Sequence, residues 1–300
     1  MNKVFTLPAN EDWIVDRLCR EWNEDNSDIS ANSPYEADVL WLFASWCWRN
    51  VPQDLLRRKK VVVTVHHIVP EKFDQNRIRD FLDRDQYVSL YHVYNKETHD
   101  IVSSLTKKTV QILPYWANHN LWKKSDESKD SLRRKYKLPS DAYMIGSFQR
   151  DTEGSDLKTP KLEKGPDLFI EYVKKVNENK HGVHVALGGW RRQYVISRLE
   201  ELKIPYTYFD RPPQKVLNDL YQTLDIYPVT SRHEGGPQSI IECGLLGIPV
   251  VSRQVGIATQ VLPEKSINDD VFCAIPDVPN VEKWKLPEGY NPYRKIFGEL

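Results

Sequence analysis

DIYPVTSRHEGGPQSIIECGLLGIPVVSRQVG, running from Asp225 to Gly256, is the stretch whose reading decides the fold. Ile226 to Val229 is an apolar β-rich run. It ends at Thr230, and a glycine pair, Gly235 and Gly236, follows. Pro237 then stands where a helix begins, the position proline tolerates best. The helix starts near Gln238, and a second apolar run covers Pro249 to Ser252. A strand, a helix and a strand in so short a span fit a right-handed crossover within one parallel sheet.

The same rhythm extends outward from this unit. On its N-terminal side come strands at Tyr143 to Phe148, Val183 to Leu187 and Tyr206 to Phe209. Helices at Pro166 to Asn179, Arg191 to Leu202 and Pro213 to Thr223 alternate with them. The first half of the chain has strands at Val4 to Leu7, Val39 to Ala44 and Val61 to His66, and a helix from Glu11 to Glu24. Weaker strands follow at Tyr87 to Leu90 and Val110 to Leu113. Such alternation defines an α/β protein. The polar run SDESKDSLRRKYKLPSD, between Leu121 and Asp141, marks the expected boundary between domains 1–125 and 126–284. The tail, 285–300, shows no strand and is a candidate for rejoining the first domain.

Chemistry concentrates where the Asp225 to Gly256 unit turns. Gly235 and Gly236 let the backbone approach a ligand closely, and the amides of Gln238, Ser239 and Ile240 at the helix start point at an anion. This is a phosphate cradle. Glu234 precedes the helix and Glu242 lies inside it, and carboxylates beside a phosphate suit sugar hydroxyls, which they accept as short charge-assisted hydrogen bonds.

Glu234 to Glu242, with the intervening glycines, Pro237 and the following Gly247-Ile248-Pro249-Val250-Val251, resembles the E-x7-E donor-site signature of the family-four retaining glycosyltransferases. The resemblance covers about Val61 to Val261. It implies the GT-B fold, two Rossmann-like domains with parallel sheets facing a central cleft. It also implies a metal-independent, retaining transfer of a sugar from a nucleoside diphosphate to an acceptor hydroxyl, with no cofactor. Glu234 would then orient the transferred sugar and Glu242 the ribose. The family's diphosphate-binding Arg and Lys match Arg150 in IGSFQR and Lys164 in EKGPD. Thirteen residues separate them, a long loop that also offers Lys158 and Lys161. In VVVTVHHIVPEKF, His66 matches the histidine that faces the donor sugar, with His67 the alternative. The glycine-rich loop that many relatives carry after the first strand is missing, since LPANEDW holds no glycine.

Other signals read differently. Asp83-Arg84-Asp85 spells a metal-binding D-x-D but lies in the charged helical stretch RIRDFLDRD. Trp41, Trp46 and Trp48 suit core packing better than a sugar cleft. Arg57 to Lys60 reads as a solvated helix end. With 42 basic and 42 acidic residues the net charge is zero, so no global field recruits nucleic acid. Four scattered cysteines and no ligand-spaced histidines argue against a structural metal and for a reducing, cytoplasmic setting. No apolar window reaches membrane-spanning length, while peripheral membrane contact stays open. The expected partners are a nucleotide sugar and an unidentified hydroxyl acceptor, a glycan, lipid or protein. Alternatives on the same fold are a nucleotide-sugar epimerase and a non-catalytic nucleotide-sugar-binding protein.

Overall fold

A computed structural model describes residues 1–11 and 14–300. The chain divides into two compact units, Met1–Tyr115 with Pro287–Leu300, and Trp116–Leu286.

The first unit holds five parallel strands in sequential order: β1 (Val4–Thr6), β2 (Val39–Leu42), β3 (Lys60–Thr64), β4 (Leu90–Val93) and β5 (Thr109–Ile112). Strands β2 and β4 are buried along their whole length, as sheets covered on both faces require. Helices Ile14–Asp25, Gln53–Arg58, Gln75–Asp85 and Lys96–Leu105 alternate with the strands. Of the helix expected from Glu11, Asp12 and Trp13 lie outside the described residues. Asp74 and Asn95 cap the third and fourth helices by accepting from the amides of Arg77 and Thr98.

Sequence pattern placed β4 three residues too early. His92, a polar residue beyond the expected strand, is buried within β4. Its Nδ1 lies 3.0 Å from Thr64 Oγ1, and Thr64 Oγ1 also accepts from Trp41 Nε1 at 2.8 Å. Partners of this kind let a polar side chain occupy a strand interior.

The last fourteen residues return to this unit as a helix, Asn291–Glu299. Tyr293 donates to the Pro114 carbonyl at 2.6 Å, and the Trp22 indole meets Tyr290 and Phe297 edge-on at 5.4 Å. The indole-rich core therefore depends on both ends of the chain.

The second unit places β6 (Tyr143–Ser147), β7 (Val183–Gly188) and β8 (Tyr206–Phe209) side by side, all parallel. Strands β9 (Tyr227–Val229) and β10 (Val250–Ser252) form a parallel pair, joined to β6 by a bridge between Ile145 and Ile226. The order is thus β8-β7-β6-β9-β10. Helices Pro166–Asn179, Gln193–Glu201, Gln214–Gln222 and Gln238–Leu246 connect successive strands.

The polar stretch from Leu121 to Asp141 lies inside this unit rather than between the two. Its Lys129–Lys135 helix buries Leu132 completely, and Arg133 donates to the Thr223 carbonyl and to Asp225 at 2.7 Å. Lys129, Lys135 and Tyr136 add bonds to Asp225 and Asp219, so a segment whose composition reads as linker is docked along its length.

Candidate active site

In the second unit, the loops that follow β6 and β9 meet around a short turn. Leu162–Lys164 forms one 3-10 turn and Gly165 leads into the Pro166–Asn179 helix. Gly165 adopts φ 60°, and a Cβ there would stand 2.0 Å from the Thr230 carbonyl oxygen, so only glycine allows this approach. The contact is sealed by Thr230 Oγ1 donating to the Gly165 carbonyl at 2.9 Å and by Arg232 N donating to the Glu163 carbonyl at 2.8 Å. Arg232 also clamps Asp167 with two bonds of 2.8 and 2.6 Å. Such parallel fork bonds fix orientation as well as adding energy.

This zipper sets Lys164 against Glu234. Lys164 Nζ lies 2.6 Å from Glu234 Oε1, which also accepts from the Ser231 hydroxyl at 3.0 Å. Glu234 is 8% exposed and Lys164 keeps 21% of its side-chain surface. Two groups assigned separately by sequence, to sugar and to diphosphate, are therefore direct partners.

Arg150 follows Gln149, whose Nε2 donates to the Lys164 carbonyl at 3.0 Å. Lys161 has its pKa lowered, first by burial and then by the charges of Arg150 and Lys164, against the pull of Glu163. Lys161 Nζ sits 3.1 Å from Glu163. The third rival, Lys158, is exposed on a finger whose base is the bridge between Thr152 and Pro160. Lys161 and Lys164, one turn apart, thus each face a carboxylate, Glu163 and Glu234.

At the glycine turn, Gly256 has φ 56°, and a Cβ on it would lie 2.9 Å from Pro237 Cδ and 3.1 Å from the Gly235 carbonyl oxygen. The turn that follows β10 thereby supports the turn before the helix. Pro237 caps the Gln238–Leu246 helix, and Ile240 N donates to the Pro237 carbonyl at 3.0 Å. That bond corrects the expectation that the Ile240 amide faces an anion: the first turn tightens and takes this donor inside the helix. The Tyr227 phenol accepts from Phe148 N at 3.0 Å.

Glu242 is 6% exposed, not a solvated helix residue, and accepts from the Tyr221 hydroxyl at 2.6 Å. Tyr221 is itself buried, edge-on to Phe148 at 4.7 Å, and burial followed by the Glu242 charge holds its hydroxyl protonated far above the usual range. Sequence reading missed Tyr221, whose place on the apolar face of the Gln214–Gln222 helix gives no sign of a polar task.

The remaining candidates lie in the first unit. His66 follows β3, with Nε2 at 3.0 Å from the Phe43 carbonyl and rings of Phe43, Trp46 and Tyr94 around it. Burial pulls its pKa down to about 4, so it is neutral at pH 7. Trp41 and Trp48 are core residues, while Trp46 is half exposed. Asp83 faces Arg49 at 3.4 Å and Asp85 accepts from Thr106 at 2.7 Å, which accounts for the D-x-D carboxylates by local contacts. The glycine-free loop after β1 presents the amides of Ala9, Asn10 and Glu11 to one carboxylate, Asp16, at 2.7 to 2.9 Å. An internal anion fills the nest that this loop forms.

Known proteins resemble this chain. Residues 158–277 match the family described as Glycosyl transferases group 1, a span that includes Lys164, Glu234 and Glu242 and supports a glycosyltransferase domain there. The O-antigen biosynthesis glycosyltransferase WclY of Escherichia coli is 22% identical over 225 residues, 71% of this chain and 59% of that protein. The chain thus aligns with less than two thirds of that relative's length. HepE of Anabaena, solved in complex with UDP-glucose, matches with a TM-score of 0.71 at 15% identity, covering 91% of this chain and 88% of HepE. WaaG, a glycosyltransferase involved in lipopolysaccharide biosynthesis, matches with a TM-score of 0.60 at 13% identity, covering 84% and 81%. The α/β architecture with parallel sheets is therefore that of the GT-B glycosyltransferases.

Proposed function

We propose that the protein is a retaining, metal-independent glycosyltransferase that moves a sugar from a nucleoside diphosphate to an acceptor hydroxyl. The observation that carries this reading is the meeting of Lys164 and Glu234 at the loops where β6 and β9 end, with Gln149, the neighbour of Arg150, donating to the Lys164 carbonyl at 3.0 Å. Arg150 and Lys164 take the diphosphate and stabilise the charge that grows on it as the glycosidic bond breaks, the kind of electrostatic stabilisation that commonly contributes most to an enzyme's rate. Cations already in place leave a metal without a task there. Gly235, Gly236, Gln238 and Ser239 shape the backbone side of the phosphate cradle.

Glu234 accepts from hydroxyls of the transferred sugar and Glu242 from the ribose. His66, neutral at pH 7, offers a hydrogen bond rather than a charge. Retention follows from a front-face displacement in which the leaving phosphate takes the acceptor's proton, so no protein base is assigned. HepE holds UDP-glucose in one structure and UDP in another, which puts uridine donors first among candidates.

Thermal unfolding against a panel of nucleotide sugars tests the reading, because a ligand that binds only the folded state raises the midpoint. A donor that stabilises wild type but not Lys164→Ala is the expected result. No stabilisation by any nucleotide sugar would end it.

A further inference from the structure

Asp151 and Arg192 form an ion pair sealed from water, 2% and 1% exposed. Arg192 Nε lies 3.1 Å from Asp151 Oδ2, and Arg192 Nη2 donates to the Ser147 hydroxyl at 2.9 Å, on the last residue of β6. Asp151 Oδ1 accepts from Tyr194 N at 3.2 Å, at the head of the Gln193–Glu201 helix. Its backbone is engaged on both sides: N donates to the Arg191 carbonyl at 3.0 Å, and O accepts from Lys161 N at 2.8 Å. Three segments converge on this pair.

A buried ion pair is weak evidence for stability, since apolar side chains of similar volume often serve as well or better. What it supplies is orientation. Arg150 directly precedes Asp151, and a fixed peptide link leaves its Cα within about 3.8 Å of a fully anchored residue. On the other side Phe148 N is held by the Tyr227 hydroxyl at 3.0 Å. The Asp151 carbonyl also closes the 152–160 finger, so the chain re-enters at Lys161 next to where it left. Despite the thirteen residues between Arg150 and Lys164, the Lys164 carbonyl accepts from Gln149 Nε2, one residue before Arg150, at 3.0 Å.

We propose that Asp151 and Arg192 are positioning residues that hold Arg150 and the returning Lys161–Lys164 turn at diphosphate spacing, an inference that rests on the donor-site reading above. Neither residue touches the donor. Their effect passes through the backbone of residues 150 and 161.

The test is a cycle of variants, read by calorimetry with whichever of UDP, GDP and ADP the wild-type protein binds, beside unliganded thermal unfolding and steady-state rates. Asp151→Asn combined with Arg192→Gln removes both charges together, so no lone charge stays buried. Arg150→Ala alone should weaken the diphosphate about tenfold to hundredfold. The double variant should still unfold cooperatively, bind the diphosphate about tenfold more weakly and lose kcat, and adding Arg150→Ala to it should cost less than about threefold more. Arg192→Lys, which keeps the charge without the fork, should fall between.

Wild-type diphosphate affinity in a folded double variant would overturn the proposal, as would a full Arg150→Ala loss in both backgrounds. If the double variant does not fold, Ser147→Ala and Arg192→Lys are read by the same cycle, and additivity with Arg150→Ala is again the overturning result. Should Arg150→Ala leave affinity unchanged in the wild-type background, the donor-site reading itself fails, an outcome distinct from the others.

Discussion

Glu234→Ala should move binding and turnover in opposite directions. Glu234 Oε1 holds Lys164 Nζ at 2.6 Å, with side chains 8% and 21% exposed, so a diphosphate recruiting Lys164 must draw it from this carboxylate. A hydrogen bond to a charged group contributes roughly 1.5 to 3 kcal/mol where enclosed, and an exposed pair roughly 0.2 to 1 kcal/mol. This pair lies between those limits. Removing it should lower the competition by about 1 kcal/mol, or about fivefold tighter binding of free nucleoside diphosphate. The sequence alone implies only that such binding survives the substitution. Turnover should instead fall about a hundredfold or more, because contacts to the reacting sugar strengthen as its bond breaks. Calorimetry with the diphosphate alone, set beside rates with the full donor, separates the two effects. A loss of diphosphate affinity as large as in Lys164→Ala would refute the reasoning.

Other outcomes follow from the same geometry. Arg150→Ala and Lys164→Ala should each weaken nucleoside diphosphate about tenfold to hundredfold, while Lys158→Ala, on the exposed finger, should bind as wild type; calorimetry ranks the three. Glu242→Ala should weaken the diphosphate itself, and Tyr221→Phe should do so by a smaller factor by releasing one Glu242 oxygen, with normal affinity in both counting against the ribose assignment. Activity should survive EDTA; complete loss restored by Mg²⁺ or Mn²⁺ would contradict the metal-free reading. Burial lowers His66 to about 4 and His92 to about 3 from an ordinary 6.5. Their neutral forms therefore stabilise the first unit above about pH 6.5, and that contribution is lost as pH falls toward 4. Urea titrations at pH 7 and pH 4.5 should show the drop, and His92→Gln should reduce it.

How much of this was legible depended on whether a signal was local. The strands of the second unit were readable because each is a short apolar run bounded by turn residues, and the Pro166–Asn179 helix announces itself by a glycine and a proline at its start. Glu234 and Glu242 were visible because glycines and a proline frame them. Their partners were not. The Lys164–Glu234 contact spans seventy residues, and the Tyr221–Glu242 bond joins two helices whose patterns read independently. Asp151 and Arg192 belong to no motif, and only burial distinguishes them. The return of the tail to the first unit, which the sequence raises only as a candidate, rests on aromatic edges around Trp22.

The central claim is a donor site that breaks a sugar–diphosphate bond with retention, and water can stand in for the unknown acceptor. Proton NMR of UDP-glucose incubated with the protein follows both the release of UDP and the anomer of the glucose first formed. The account predicts slow release of α-glucose with UDP, or the same from another nucleotide sugar of the panel, abolished in Lys164→Ala. Release of the inverted β-anomer, or wild-type release in Lys164→Ala, would contradict it.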